Sequence, residues 1–332
     1  MQPDSSGGLP SVGPSATPSP EPTPILAELV SAPVCAERSL TIGRPPPRRV
    51  ALPLFLFVAT CISTFWVGAG GWDPIIALTE PLQMLRDHWW QGAVFMTAVM
   101  GILLAHEMGH FLQAVRYGVP ASLPYFIPFP IMPLGTMGAV IGLGGSQADR
   151  KQLFDIGLTG PLAGLAVALP LTCLGFLQAT PLTQTSDLGL PGHFTSPLIF
   201  DLLQAVLRPN DPPGTRFILH TNPLVMAGWI GMLVTGLNML PVSQLDGGHV
   251  AYALMGRRAH WLARAVVIGA LIFIVSSGQY GWGLMLAIVL LLGIRHPPTA
   301  NDRVELGRWR SIVGWLSLSI PILCLTPAPM VP

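Results

Sequence analysis

The residues best suited to chemistry are His106, Glu107 and His110, which close the apolar run Gly101–His110, GILLAHEMGH. In a helix, positions i and i+4 share a face, so both imidazoles can reach one metal ion while Glu107 points at its open coordination position. This is the H-E-x-x-H pattern of zinc peptidases, in which zinc activates water for attack on a carbonyl and the adjacent carboxylate takes the proton. A second centre is Asn238–His249, NMLPVSQLDGGH. Pro241 breaks the preceding helix, which frees Asp246 to turn inward, and Gly247 and Gly248 let the backbone pass closely. Two histidines leave zinc wanting one more protein ligand. Asp246 is the best-placed carboxylate, and Asp155 is the other at similar depth. The amide of Asn238 suits a peptide carbonyl or an oxyanion, or alternatively a bond between helices. His249 reads as a polar neighbour rather than a fourth ligand.

Composition decides what solvent this site sees. Of 332 residues, 51% are hydrophobic and 10% charged, where soluble domains carry about 25% charged. The chain therefore reads as an all-α polytopic membrane protein. A net charge of +1, with Lys151 the sole lysine, offers no basic patch for nucleic acid, which is excluded as a partner. Cys35, Cys61, Cys173 and Cys324 form no C-x-x-C pair and read as packing residues.

Residues 1–49 read as a Pro/Ser-rich, disordered cytosolic tail, and residues 50–326 as the membrane domain. Arginine is absent before Arg38, while Asp4, Glu21, Glu28 and Glu37 are present, which argues against a transit peptide. No cleavable signal pattern precedes the first span. Apolar runs follow at about 51–70, 92–115, 153–179, 222–240, 261–277, 281–294 and 311–326. They predict six or seven transmembrane helices. With the N-terminus in the cytosol, all but Arg86, Arg208 and Arg216 of the 17 Lys and Arg fall on the inside. The positive-inside rule selects that orientation. The expected location is a bacterial-type plasma membrane.

The second helix then meets the cytosolic interface near Arg116, which places His106 about 15 Å below the surface. Buried charge at that depth calls for a metal or a partner. Between this helix and the next, prolines at 120, 124, 128, 130 and 133 forbid a continuous helix in a stretch too apolar for an aqueous loop. The spacing predicts a re-entrant, partly β segment beside the metal site, with Thr136–Leu143 a short strand. Its edge suits an extended substrate laid down by strand addition; a packing plug is the other use. In the next helix, Gly160 and Gly164 favour close packing, and Asp155 either orients a ligand or caps the helix. The polar stretch from Thr180 to Thr221 is expected outside and is too short for a recognition domain.

Taken together, HEMGH, GTMGA, FDIGLTGPLAG and NMLPVSQLDGG stand in the order of the site-2 protease family of intramembrane zinc metalloproteases, which the chain resembles over about 95–256. The resemblance implies His106, His110 and Asp246 as ligands of one Zn2+ per chain, Glu107 as general base, and Asn238 in the substrate-contacting part of the cleft. It implies hydrolysis of peptide bonds in or near transmembrane segments, with membrane-spanning or membrane-anchored proteins as substrates in the lipid bilayer. Some members carry a PDZ domain between the core helices, and none is expected between them here. A metal-ion transporter would explain the ligands but has no need of Glu107, and an inactive membrane-segment-binding relative would have no need to fill every catalytic position.

Overall fold

Apolar runs fold as helices in lipid because a helix satisfies its own backbone N–H and C=O groups, which the hydrocarbon cannot. The computed structural model describes residues 50–71, 79, 81–132, 134–179, 193–210, 222–326 and 330–331. The chain divides into Met1–Pro47 and Arg48–Pro332; the expected N-terminal tail lies outside the described residues. In the second unit the elements are α1 (Ala51–Ala69), α2 (Pro81–Arg116), β1 (Tyr125–Phe129), β2 (Gly135–Val140), α3 (Arg150–Gln178) and β3 (His193–Phe194). They continue as α4 (Leu198–Leu207), α5 (Pro223–Asn238), α6 (Asp246–Met255), α7 (Ala259–Ser277), α8 (Gly283–Leu292), α9 (Arg308–Ser317), α10 (Ile320–Cys324) and β4 (Met330–Val331).

Among the described residues, four candidate spans are long and apolar enough to cross a membrane: α1, α2, α3 and the run Asp246–Ser277. They make this an integral membrane protein. The last run is two helices, because Gly256 turns the backbone at φ 57° between α6 and α7. Apolar side chains that would aggregate in water line the outside, including Leu54, Phe55 and Ile62 of α1 and Ile268, Ile272 and Val275 of α7. That arrangement suits hydrocarbon solvent. The apolar run at 311–326 is interrupted at Leu318 and Ser319, leaving α9 and α10 as separate short helices. Within the expected external stretch, residues 193–210 are described and hold α4.

The core sits where α2, α3 and α5 pack together, around Phe95, Ile102, Leu103, Phe154, Met226, Ile230 and Met232. α5 is buried along most of its length, from Val225 to Gly236. Asp149 starts α3 with a capping box, accepting from the N–H groups of Lys151 and Gln152 while the Gln152 side chain accepts from Asp149 N–H.

The proline-rich segment is more regular than its composition suggests. β1 and β2 form an antiparallel hairpin, with the register shifting between Phe126 and Pro128, where proline has no N–H to donate. The other described prolines of the segment stand outside the strands, so the ladder survives. Phe126 packs edge-on against Phe57 of α1 at 5.2 Å, and Ser63 Oγ donates to Gly135 O at 2.6 Å. The hairpin is thereby fixed to α1.

Candidate metal centre

His106, Glu107 and His110 occupy one turn of α2, each buried to 5% exposure or less. The short loop after Asn238 ends at Leu245, and Asp246 opens α6 facing the two imidazoles. His106 Nε2 lies 3.2 Å from Asp246 Oδ2, and His110 Nε2 lies 3.3 Å from Asp246 Oδ1. One donor atom from each residue fits within 4.8 Å of the other two. Donors about 2.0 Å from a tetrahedral metal stand about 3.3 Å apart, so this His–His–Asp set fits zinc in both spacing and chemistry. Among the described residues it is the sole cluster of metal-ligating side chains so arranged.

The orientation of His110 is fixed from behind. Its Nδ1 donates to Ile156 O at 2.7 Å. A carbonyl can only accept, so the proton sits on Nδ1 and the lone pair of Nε2 faces Asp246. Space for the ring comes from Gly160 on α3, where a Cβ would stand 2.0 Å from His110 Nε2. The FDIGLTGPLAG segment therefore clears the imidazole as well as packing the helices. Asn238, the last residue of α5, places its amide nitrogen 3.3 Å from His106 Nε2. Glu107 is buried beside the donors and is not one of the three.

Asp155 has a different partner from either one expected. Its carboxylate takes two bonds from Arg310, at 2.8 and 3.0 Å, and one from the Tyr117 hydroxyl. It is neither a helix cap, which is Asp149, nor a member of the metal-holding group. It ties the ends of α2 and α3 to α9. The partner, 155 positions along the chain, has no signature in sequence. Likewise unread in sequence is the link from His249 Nδ1 to His296 Nε2, 2.7 Å long, because nothing in the spacing ties the R-H-P-P turn to the D-G-G-H helix.

A helical bundle with membrane-spanning helices, two buried histidines facing one aspartate and an adjacent buried glutamate defines the class of intramembrane metalloprotein. The family comparison makes it specific: the model of peptidase family M50 matches residues 94–277, and the chain belongs to that family. It is 35% identical over 237 residues to "Probable zinc metalloprotease EGY1, chloroplastic" of Arabidopsis thaliana, covering 69% of this chain and 42% of the relative. Against the protein of the same name from Oryza sativa subsp. japonica it is 34% identical over 234 residues, covering 69% and 39%. A third relative, "Probable zinc metalloprotease EGY2, chloroplastic" of Oryza sativa subsp. indica, is 32% identical over 203 residues, covering 60% and 35%. The chain thus spans about two fifths of the length of the curated relatives it matches. No solved structure matches the chain.

Proposed function

We propose that this protein is an intramembrane zinc metalloendopeptidase that hydrolyses peptide bonds in or near transmembrane segments of membrane proteins. The observation that carries the reading is the meeting of His106 and His110 with Asp246, 140 positions after His106, beside the buried Glu107. Membership of family M50 and relatives named zinc metalloproteases support it. The alternatives of an ion transporter or an inactive relative gain no support from them.

His106, His110 and Asp246 hold the metal, which when bound polarises a carbonyl and makes water a nucleophile near neutral pH. Glu107 receives a proton from the attacking water on its carboxylate and delivers it to the nitrogen of the departing amine. Asn238 donates from its amide to the carbonyl oxygen of the bond being cut, at the corner it shares with His106. Because a helix hides its backbone, the substrate unwinds locally and lies along the edge of the β1–β2 hairpin as an added strand. The surrounding helices exclude bulk water, so the hydrolytic water reaches the site by a path from the cytosol.

The four long spans are joined, in this reading, by α5, α8 and the broken pair α9–α10. This reading gives seven crossings, with the N-terminus cytosolic and the membrane a bacterial-type plasma membrane.

The test pairs zinc stoichiometry with cleavage of a helical membrane substrate in detergent, comparing wild type with Glu107→Gln. The variant keeps the side chain's size and removes its basicity, so zinc stays bound and cleavage is lost. Full peptidase activity in Glu107→Gln removes Glu107 as the base, and loss of zinc makes it a ligand.

A further inference from the structure

The turn that carries Asp246 is intrinsically weak. It contains Gly247 and Gly248, which surrender more conformational freedom on folding than any other residue, and its N-cap Leu245 offers no side-chain hydrogen bond. Glycine is required at both positions, since a Cβ would stand 2.0 Å from Met239 O at the first and 2.3 Å from Ser243 O at the second. Rigidity must therefore come from outside the turn. On one side α3 supplies it by contact, for at Gly157 an added Cβ would meet His249 Cβ at 2.8 Å and Asp246 O at 3.4 Å. On the other side stands His296, from the segment after α8.

His296 is 7% exposed and is gripped twice by α6. Its ring stacks on Tyr252 at 4.5 Å and 18°, and its Nε2 lies 2.7 Å from His249 Nδ1. The proton order is determined: His296 Nδ1 lies 2.5 Å from Pro297 O, a pure acceptor, so Nδ1 carries the hydrogen. Nε2 is then bare and must accept, which makes His249 Nδ1–H the donor. Burial lowers the pKa of His296, the direction that favours a neutral ring.

The segment holding His296 is itself fastened to the rest of the fold. His260 Nε2 donates to His296 O at 3.2 Å, and Ala300 N–H donates to Ala148 O at 2.9 Å. Asp302 accepts from Tyr252 Oη at 3.0 Å and from Thr299 Oγ1 at 2.6 Å, bonds that hold its carboxyl below the usual carboxylate range, the Thr299 bond most. Arg150 reaches the carbonyls of Ala253 and Leu254 near the end of α6. The residues from His296 to Asp302 thus form a strap bonded to α6 and to the start of α3, and Pro297 and Pro298 restrict its backbone.

We infer that His296 is a positioning residue for the metal ligand Asp246, acting through His249 to hold the D-G-G-H turn at the distance the two imidazoles require. The inference rests on the proposed zinc site and adds to it a residue from outside the segments that carry the family resemblance. An outer partner of this kind changes how tightly a site keeps its metal, by about 10- to 100-fold where such partners have been removed.

The experiment follows loss of zinc from the purified full chain to a chelator in detergent, with the thermal midpoint of each metal-free protein measured alongside. His296→Phe keeps a ring over Tyr252 and deletes the acceptor; it should release zinc about tenfold faster or more. His296→Gln keeps an acceptor oxygen for His249 and should release zinc close to the wild-type rate. The metal-free midpoints of the two variants should agree. Release from His296→Phe within twofold of wild type overturns the inference and leaves the zinc site standing, and so does equally fast release from His296→Gln. A wild-type protein without zinc overturns both readings together. Should His296→Phe fail to fold, Tyr252→Phe, which removes only the bond to Asp302, replaces it: faster zinc loss supports the strap, and an unchanged rate overturns it.

Discussion

Gly160 lies against His110 so closely that a methyl group in place of its hydrogen would stand 2.0 Å from Nε2, the nitrogen that faces Asp246. A helix position is thus left without a side chain to make room for an imidazole on the neighbouring helix. Gly160→Ala is expected to push His110 aside, reducing zinc content by more than half and proteolysis about 100-fold, as a misplacement of about 1 Å can do. Helicity by circular dichroism should hold, because alanine is the better helix former. Normal zinc content in this variant would show that the ring has room to spare.

Elemental analysis of the purified protein is expected to find about one zinc per chain. His106→Ala and Asp246→Ala should each lose most of it, since two donors of a three-donor set hold zinc poorly. Undiminished zinc in both variants would remove the site.

Asp155 and Arg310 form a two-bonded pair, with Arg310 36% exposed and Asp155 15%. Removing the carboxylate in Asp155→Ala should lower stability in detergent by about 1–2 kcal/mol, a value kept modest because water screens the guanidinium. Zinc content should not change, because Asp155 belongs to the joint between α2, α3 and α9. Loss of zinc at unchanged stability would return Asp155 to the metal site.

The distribution of basic residues predicts a cytosolic N-terminus and an external loop near Ser186; both labelling positions lie outside the described residues. With the native cysteines replaced, an impermeant thiol reagent applied to intact cells should mark Ser186→Cys and spare Ser11→Cys. The reverse pattern would invert the topology.

The chemistry at His106, Glu107 and His110 is legible in sequence because helical periodicity alone puts i and i+4 on one face. Asp246 is nearly as legible, since a proline that ends a helix and two glycines announce a close turn, and buried charge demands a use. Membrane residence follows from composition, because lipid solvates apolar side chains and refuses charged ones. What required the tertiary structure is long-range pairing. The bonding of Asp155 depends on Arg310, and that of His249, on the same helix as Asp246, depends on His296, 47 residues further on. Neither dependence has a period or a spacing. The hairpin at Tyr125–Val140 also needed the fold: proline density reads as broken backbone until the ladder shows that the described prolines stand at a bulge or outside the strands. Local propensity and periodicity are properties of neighbouring residues and can be read along the chain. Contacts between distant segments exist only once the bundle has packed, so only the tertiary structure decides which side chains come to stand around the His106–His110–Asp246 cluster.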